Sequence, residues 1–221
     1  MQMNYENTTT PSLGQNWNQF IKWSGLCGVV GPVLFVVMFT AAGFLRPSYS
    51  PVHQAISDLG VGPMPWLLNV PLVVLGILLV VMAIGFSQAM RQVMSQPWRL
   101  TCGMLLAGPG LGYATAGIFP ETNPIHWMLG MPLLAIGSVV GFLLVGLQVR
   151  RIPAWRRHGI YSLLTSASLV VLFPLMNLTF DPTSPLAALR LGGLAERIVF
   201  VDLLAWYVVI GWRLFRTPTG D

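Results

Sequence analysis

Five stretches of this chain run for more than twenty residues without a single Asp, Glu, Lys or Arg: Trp23–Leu45, Pro65–Met90, Leu100–Pro120, Pro124–Val149 and Gly159–Phe180. A sixth, Ile198–Trp212, holds one acid, Asp202. A helix rises 1.5 Å per residue, so about 20 apolar residues cross the hydrocarbon core of a bilayer. Nothing constrains a fold more than this, because inside lipid every backbone N–H and C=O must find its partner within the segment. The expected fold is therefore an all-α integral membrane bundle of six transmembrane helices. Composition agrees. Of the 221 residues 54% are hydrophobic and 9% charged, where a soluble domain carries about 25% charge. A soluble enzyme, a nucleic-acid module and a disordered chain are excluded on that ground.

The spans expected are about 23–45, 65–90, 100–120, 124–149, 159–180 and 191–214, within a membrane domain of residues 23–216. Polar tails of 1–22, partly disordered, and 217–221 flank it. The last span has a longer prelude. Ser184 or Thr183 can cap a helix opened by Pro185, and Leu186–Phe215 would then overrun the bilayer unless it tilts or breaks at Gly192-Gly193. Charge gives the orientation. Lys22, Arg91, Arg99, Arg150, Arg151, Arg156, Arg157, Arg213 and Arg216 fall on one side, against Arg46, Arg190 and Arg197 on the other. The positive-inside rule makes the first side cytoplasmic, with both termini there, in a cell membrane. The basic balance (pI about 9.8) needs no nucleic-acid partner; membrane lipids are the expected partners.

Prolines 32, 71, 109, 132 and 174 interrupt the first five spans and predict bends. Gly108 with Gly112, and Gly137 with Gly141, predict close helix contacts. An echo at an offset of 61 relates Trp66…Pro71…Gly76…Gly85 to Trp127…Pro132…Gly137…Gly146, the pattern a duplicated hairpin would leave. The eight tryptophans read as an interfacial belt.

The non-cytoplasmic side concentrates the chemistry. Ser50-Pro51 reads as a helix start and Gly60 as its stop, with Val52, Ala55, Ile56 and Leu59 forming an apolar stripe. This predicts a short amphipathic lid helix, with His53 and Ser57 one turn apart. Arg46, His53, Ser57, Asp58, Glu121, His126, Asp181, Glu196, Arg197 and Asp202 make up the candidate polar site, since ionisable groups at a membrane boundary are costly unless paired or functional. Three chemistries fit. His53, Asp58, Glu121, His126 and Asp202 could hold a divalent metal such as zinc, as in a membrane hydrolase. Ser57 with His53 could form a nucleophile–base pair. A hydrogen-bonded polar lid over a lipid or amphiphile site is the third and leading reading. Kinked helices and the hairpin echo also admit a small transporter.

The segment Arg46-Pro-Ser-Tyr-Ser-Pro-Val-His53-Gln-Ala-Ile-Ser57-Asp58-Leu-Gly60 resembles a prokaryotic multi-pass membrane family, domain of unknown function 998. Gly117-Ile-Phe-Pro120 with His126, and Gly193-Leu-Ala-Glu196-Arg197, match it further. Ile56-Ser57-Asp58 and Glu121…His126 are more distantly similar to the Frag1/DRAM/Sfk1 six-span proteins, a resemblance that implies a link to lipid remodelling.

Overall fold

The computed structural model describes the backbone of residues 13–216 and side chains from residue 16 onward. Within that range the chain forms six long helices: α1 (Leu13–Leu45), α2 (Trp66–Ala89), α3 (Gln96–Ile118), α4 (Met131–Val149), α5 (Arg156–Phe180) and α6 (Gly192–Phe215). Five have the length and hydropathy to cross a membrane; α3 falls short of that hydropathy. The reason is its five glycines, which stand where larger apolar residues would raise the mean. Large apolar side chains are exposed around the bundle, Phe44 at 86%, Met128 at 78% and Met104 at 68% among them. A water-facing protein does not show such a girdle, and a multi-pass membrane protein requires one.

Each helix packs on its neighbour in sequence and α6 returns to α1, closing a ring. Glycine sets the spacing. A Cβ at Gly76 on α2 would lie 2.4 Å from the Gly110 carbonyl oxygen of α3, and one at Gly110 would lie 2.7 Å from that of Gly76. Gly25 and Gly211 close α1 on α6 in the same reciprocal way, each Cβ 2.6 Å from the other's carbonyl oxygen. Gly137 packs against Pro109, and Gly112 against Gly130, as the small-residue spacing predicts for α3 and α4. The middle of the ring is filled. Trp206 stacks on Phe142 with centroids 4.0 Å apart, and the Tyr207 hydroxyl donates to the Leu106 carbonyl at 2.7 Å. Trp206 therefore leaves the predicted belt for the core, and Trp155 is buried too.

Several boundaries differ from expectation. Residues 13–22, assigned to the polar tail, are helical; Trp17, Phe20 and Ile21 recur at i, i+3 and i+4, and Lys22 sits 5.4 Å from the Phe215 ring centroid. The rest of the predicted tails lies outside the described residues. The fourth span is not uniform. His126–Gly130 form a π turn, with the Met131 N–H bonded to the His126 carbonyl, next to Pro132, whose missing N–H leaves the Met128 carbonyl without its usual partner. The prelude to α6 breaks as the glycines suggest. Pro185–Leu189 form a 3₁₀ turn capped by Ser184, and Arg190 at φ +53° ends it before α6 starts at Gly192. The 61-residue echo does not extend to packing. Gly76 faces the following helix and Gly137 the preceding one, and Gly85 and Gly146 are reversed likewise.

Gly76→Val and Gly110→Val should each destabilise the protein by about 3 kcal/mol, because rigid backbone opposes the new side chain. Melting midpoints in detergent should fall for both. The double variant should fall by less than the sum, since either change alone already parts α2 from α3.

Candidate functional site

At the end of the bundle opposite the arginine cluster lie three connections, residues 46–65, 119–130 and 181–191. The first does not form the expected lid helix. Residues 51–56 are turns, followed by a single 3₁₀ turn at Ser57–Gly60. Its backbone hydrogen bonds are drawn elsewhere. The Ile56 N–H donates to Glu196 Oε2 at 2.5 Å, and the Ala55 N–H to Asp58 Oδ2 at 3.1 Å. The Leu194 N–H donates to the Val52 carbonyl at 3.0 Å. The Tyr49 hydroxyl donates to the Ala55 carbonyl at 2.8 Å. A helix over 51–59 would need those groups for itself. The predicted i, i+4 pairing of His53 with Ser57 loses its helical basis.

Two arginines organise the loop through neutral oxygens. Arg46 donates through Nη1 to the carbonyls of Asp58 and of Val61, the latter at 2.8 Å, pinning the far end of the loop to the end of α1. Arg197 on α6 donates to the Gln54 carbonyl at 3.1 Å, the Gly193 carbonyl at 2.9 Å and the Tyr49 hydroxyl at 2.6 Å. The α6 terminus can come this close only because residue 193 is glycine; a Cβ there would lie 2.1 Å from the Gln54 carbonyl oxygen. Burial pushes the Tyr49 phenol above its ordinary value, against the pull of the Arg197 guanidinium.

Acids gather beneath. Glu196 is buried. The Glu121 carboxyl bonds Ser57 and lies against Asp58; burial, reinforced by the Asp58 charge, raises it above its ordinary 4.5 despite the Ser57 hydroxyl and Arg46. His126 holds the open end of α3, its Nδ1 3.0 Å from the Phe119 carbonyl oxygen. With Nδ1–H as donor, the neutral ring keeps Nε2 as an acceptor. Ser57, His126, Glu196 and Tyr113 line a cavity of about 30 Å³ floored by Leu134 and Phe200. The Tyr113 hydroxyl is buried with no hydrogen-bond partner. Beside this chamber, a groove of about 190 Å³ runs along the last turns of α1, walled by Phe39, Thr40, Gly43, Phe44 and Pro51, with Tyr49 and Arg197 at its polar end.

Seven of the ten predicted residues thus meet here: Arg46, Ser57, Asp58, Glu121, His126, Glu196 and Arg197. Three do not. His53 is exposed on the loop. Asp181 caps the third connection, where the Thr183 amide and hydroxyl bond it at 2.9 and 2.7 Å and hold its carboxyl below the ordinary range. Asp202, expected at the head of the sixth span, lies ten residues past Gly192, about 15 Å down the helix. Among the described residues no three His, Cys, Asp or Glu side chains come together as a metal site. Tyr49, Gln54 and Tyr113 were not expected in the site. None of the three carries a charge near neutral pH, although Tyr49 and Gln54 lie inside the most patterned loop of the sequence.

A family model described as "Protein of unknown function (DUF998)" matches residues 29–213. The chain belongs to this family. No curated protein and no solved structure matches it. The three segments that carried the DUF998 resemblance, around residues 46–60, 117–126 and 193–197, are the ones that meet at this end of the bundle.

Glu121 gives the site a pH dependence. Below pH 4.5 the folded and unfolded chains both hold its proton; above it only the folded chain does, so stability falls as pH rises through the raised folded value. Glu121→Gln should remove that slope. Melting curves from acid to neutral pH should show the variant above the wild type at neutral pH, with the two converging in acid.

Proposed function

We propose that this multi-pass membrane protein binds an anionic amphiphile at the loop-covered end, the head group against Arg197 and the chain along α1. The observation that carries this reading is the groove itself, an apolar trough ending in a cation and a phenol. Arg197 sits 5.8 Å from the Phe39 ring and 5.6 Å from the Tyr49 ring, so its plane is already fixed. A guanidinium has five N–H donors, and three are engaged, leaving two for a carboxylate or phosphate. Phe44, the most exposed large apolar residue among those described, flanks the opening from the lipid side. All six helices cross the membrane in this reading, α3 included, because α2 and α4 enclose it on either side. The arginine-rich end and both termini lie in the cytoplasm, so the groove opens in the outer leaflet of the cell membrane.

The amphiphile reading has a direct test. Native mass spectrometry of the detergent-purified protein titrated with phosphatidylglycerol should show binding in preference to phosphatidylcholine. Arg197→Gln should weaken it about tenfold, the loss of one charge-assisted contact. Thr40→Trp, at an exposed position in the groove, should abolish it without lowering the melting midpoint. Equal binding of both lipids by all three proteins would exclude the reading.

A further inference from the structure

The end of the bundle opposite the loop site carries four arginines that no described group pairs. The described acids lie elsewhere, Asp58, Glu121, Asp181 and Glu196 at the loop end and Asp202 midway along α6. Some bases at the arginine end rest on aromatic rings: Lys22 on Phe215, Arg213 on Trp155 and Arg216 on Trp212. Arg150, Arg151, Arg156 and Arg157 do not. All four are exposed within a stretch of eight residues. None of their guanidiniums has a hydrogen-bond or ion-pair partner among the described residues.

The corner that holds them is fixed. After α4 ends at Val149, Pro153–Trp155 form a 3₁₀ turn that leads into α5 at Arg156. Trp155 is buried, edge-on to Phe86 at 6.2 Å. A Cβ at Gly159 would lie 2.4 Å from the Arg150 backbone nitrogen, so the first turn of α5 presses on the end of α4. Arg150, Arg151 and Arg156 thereby surround one cavity of about 630 Å³, with Pro153 and Ile160 completing its lining. Ile160 is exposed at 46% and Leu164, one turn further on, at 65%, so the cavity leads onto hydrocarbon-facing surface.

Two unfavourable terms meet at this corner. Like charges crowd together, and they do so at the start of a helix, where free N–H groups already leave positive charge. The first turn of α5 holds no acid and no side-chain cap. Setting an orientation requires arginines on one side of the membrane, not arginines around one cavity. An anion seated among them relieves both terms. A guanidinium fork pairs bidentately with phosphate oxygens. With three forks lining the cavity, a single phosphodiester charge would leave two unmatched.

We propose that the α4–α5 corner binds a phospholipid bearing two phosphates, which Arg150, Arg151 and Arg156 clamp while its acyl chains descend along Ile160 and Leu164. Arg157 stands outside the cavity lining and adds attraction at longer range. The site lies at the other end of the bundle from the groove of Arg197 and does not depend on what that groove binds.

Native mass spectrometry of the intact protein, carrying Thr40→Trp to close the outer groove, tests this with cardiolipin and phosphatidylglycerol at equal phosphate. One cardiolipin should be retained at a concentration about tenfold lower than phosphatidylglycerol. Arg150→Gln with Arg156→Gln should weaken cardiolipin at least about tenfold, the loss of two charge-assisted contacts. Arg91→Gln with Arg99→Gln removes the same charge from the same end and should weaken it less than about twofold. Arg150→Lys with Arg156→Lys keeps every charge, and with it the membrane orientation, yet should weaken binding about threefold because an ammonium has no fork. Cardiolipin should raise the melting midpoint of the parent protein and not that of the Arg150/Arg156 glutamine variant. Millimolar inorganic pyrophosphate should leave the bound lipid in place. Equal weakening by the two glutamine pairs overturns the proposal in favour of diffuse charge attraction, and displacement by pyrophosphate overturns it in favour of a free-anion site. Phosphatidylglycerol binding as well as cardiolipin, or a lysine pair that binds like the parent, also overturns it.

Discussion

The close approach of backbone to backbone at glycine is the contact on which this molecule depends. Lipid tails are as apolar as the helices they surround, so no hydrophobic gain draws one span to another. Attraction must come from dispersion across well-fitted surfaces, each atom pair contributing little and the sum contributing much. Gly76 with Gly110, Gly112 with Gly130, and Gly25 with Gly211 bring main chains into contact at three seams. The last of these turns a row of helices into a ring, and ring closure carries the start of α6 to the loop that follows α1.

That meeting explains why the polar end differs from the rest. Elsewhere the helices meet their own hydrogen-bonding needs. At the loop end, a segment too short and too rich in turn residues to do so borrows from a distant one. Glu196 receives the Ile56 N–H, Val52 receives the Leu194 N–H, and Arg197 donates to Gln54 and Tyr49. Three buried or half-buried carboxyls, Asp58, Glu121 and Glu196, and two guanidiniums then coexist at this end of the bundle. The arginines hydrogen-bond to neutral oxygens while their charges act on the neighbouring carboxyls of Glu121 and Glu196.

Much of the fold was legible because its signals are one-dimensional. Length without charge marks a span, and arginine placement marks an end. The break before α6 was readable from Gly192-Gly193, and the helix contacts from Gly108, Gly112 and Gly137. What escaped depends on partners far along the chain. The stripe Val52, Ala55, Ile56, Leu59 predicts a helix, yet the Val52 and Gln54 carbonyls and the Ile56 amide are claimed by residues about 140 positions later, and Ala55 by Tyr49 and Asp58. Asp202 looked like a boundary acid because the apolar run opens only at Ile198; in a helix that starts at Gly192 the same residue sits near the middle. Seven of the candidate site residues were readable from their side and depth alone. Tyr49 and Tyr113 were not, being identifiable only by what they touch.

The docking of Gly193 against Gln54 also orders events during synthesis. The first loop leaves the ribosome early, followed by four more helices, while its partners Glu196 and Arg197 are still unmade. Through that interval the Ile56 amide and the carbonyls of Val52 and Gln54 lack the α6 partners they bond in the finished fold. The loop acquires its form when the final helix inserts and Gly193 slides beneath it. A chain that stops before Gly193 would still carry the first five helices and would lack both Glu196 and Arg197.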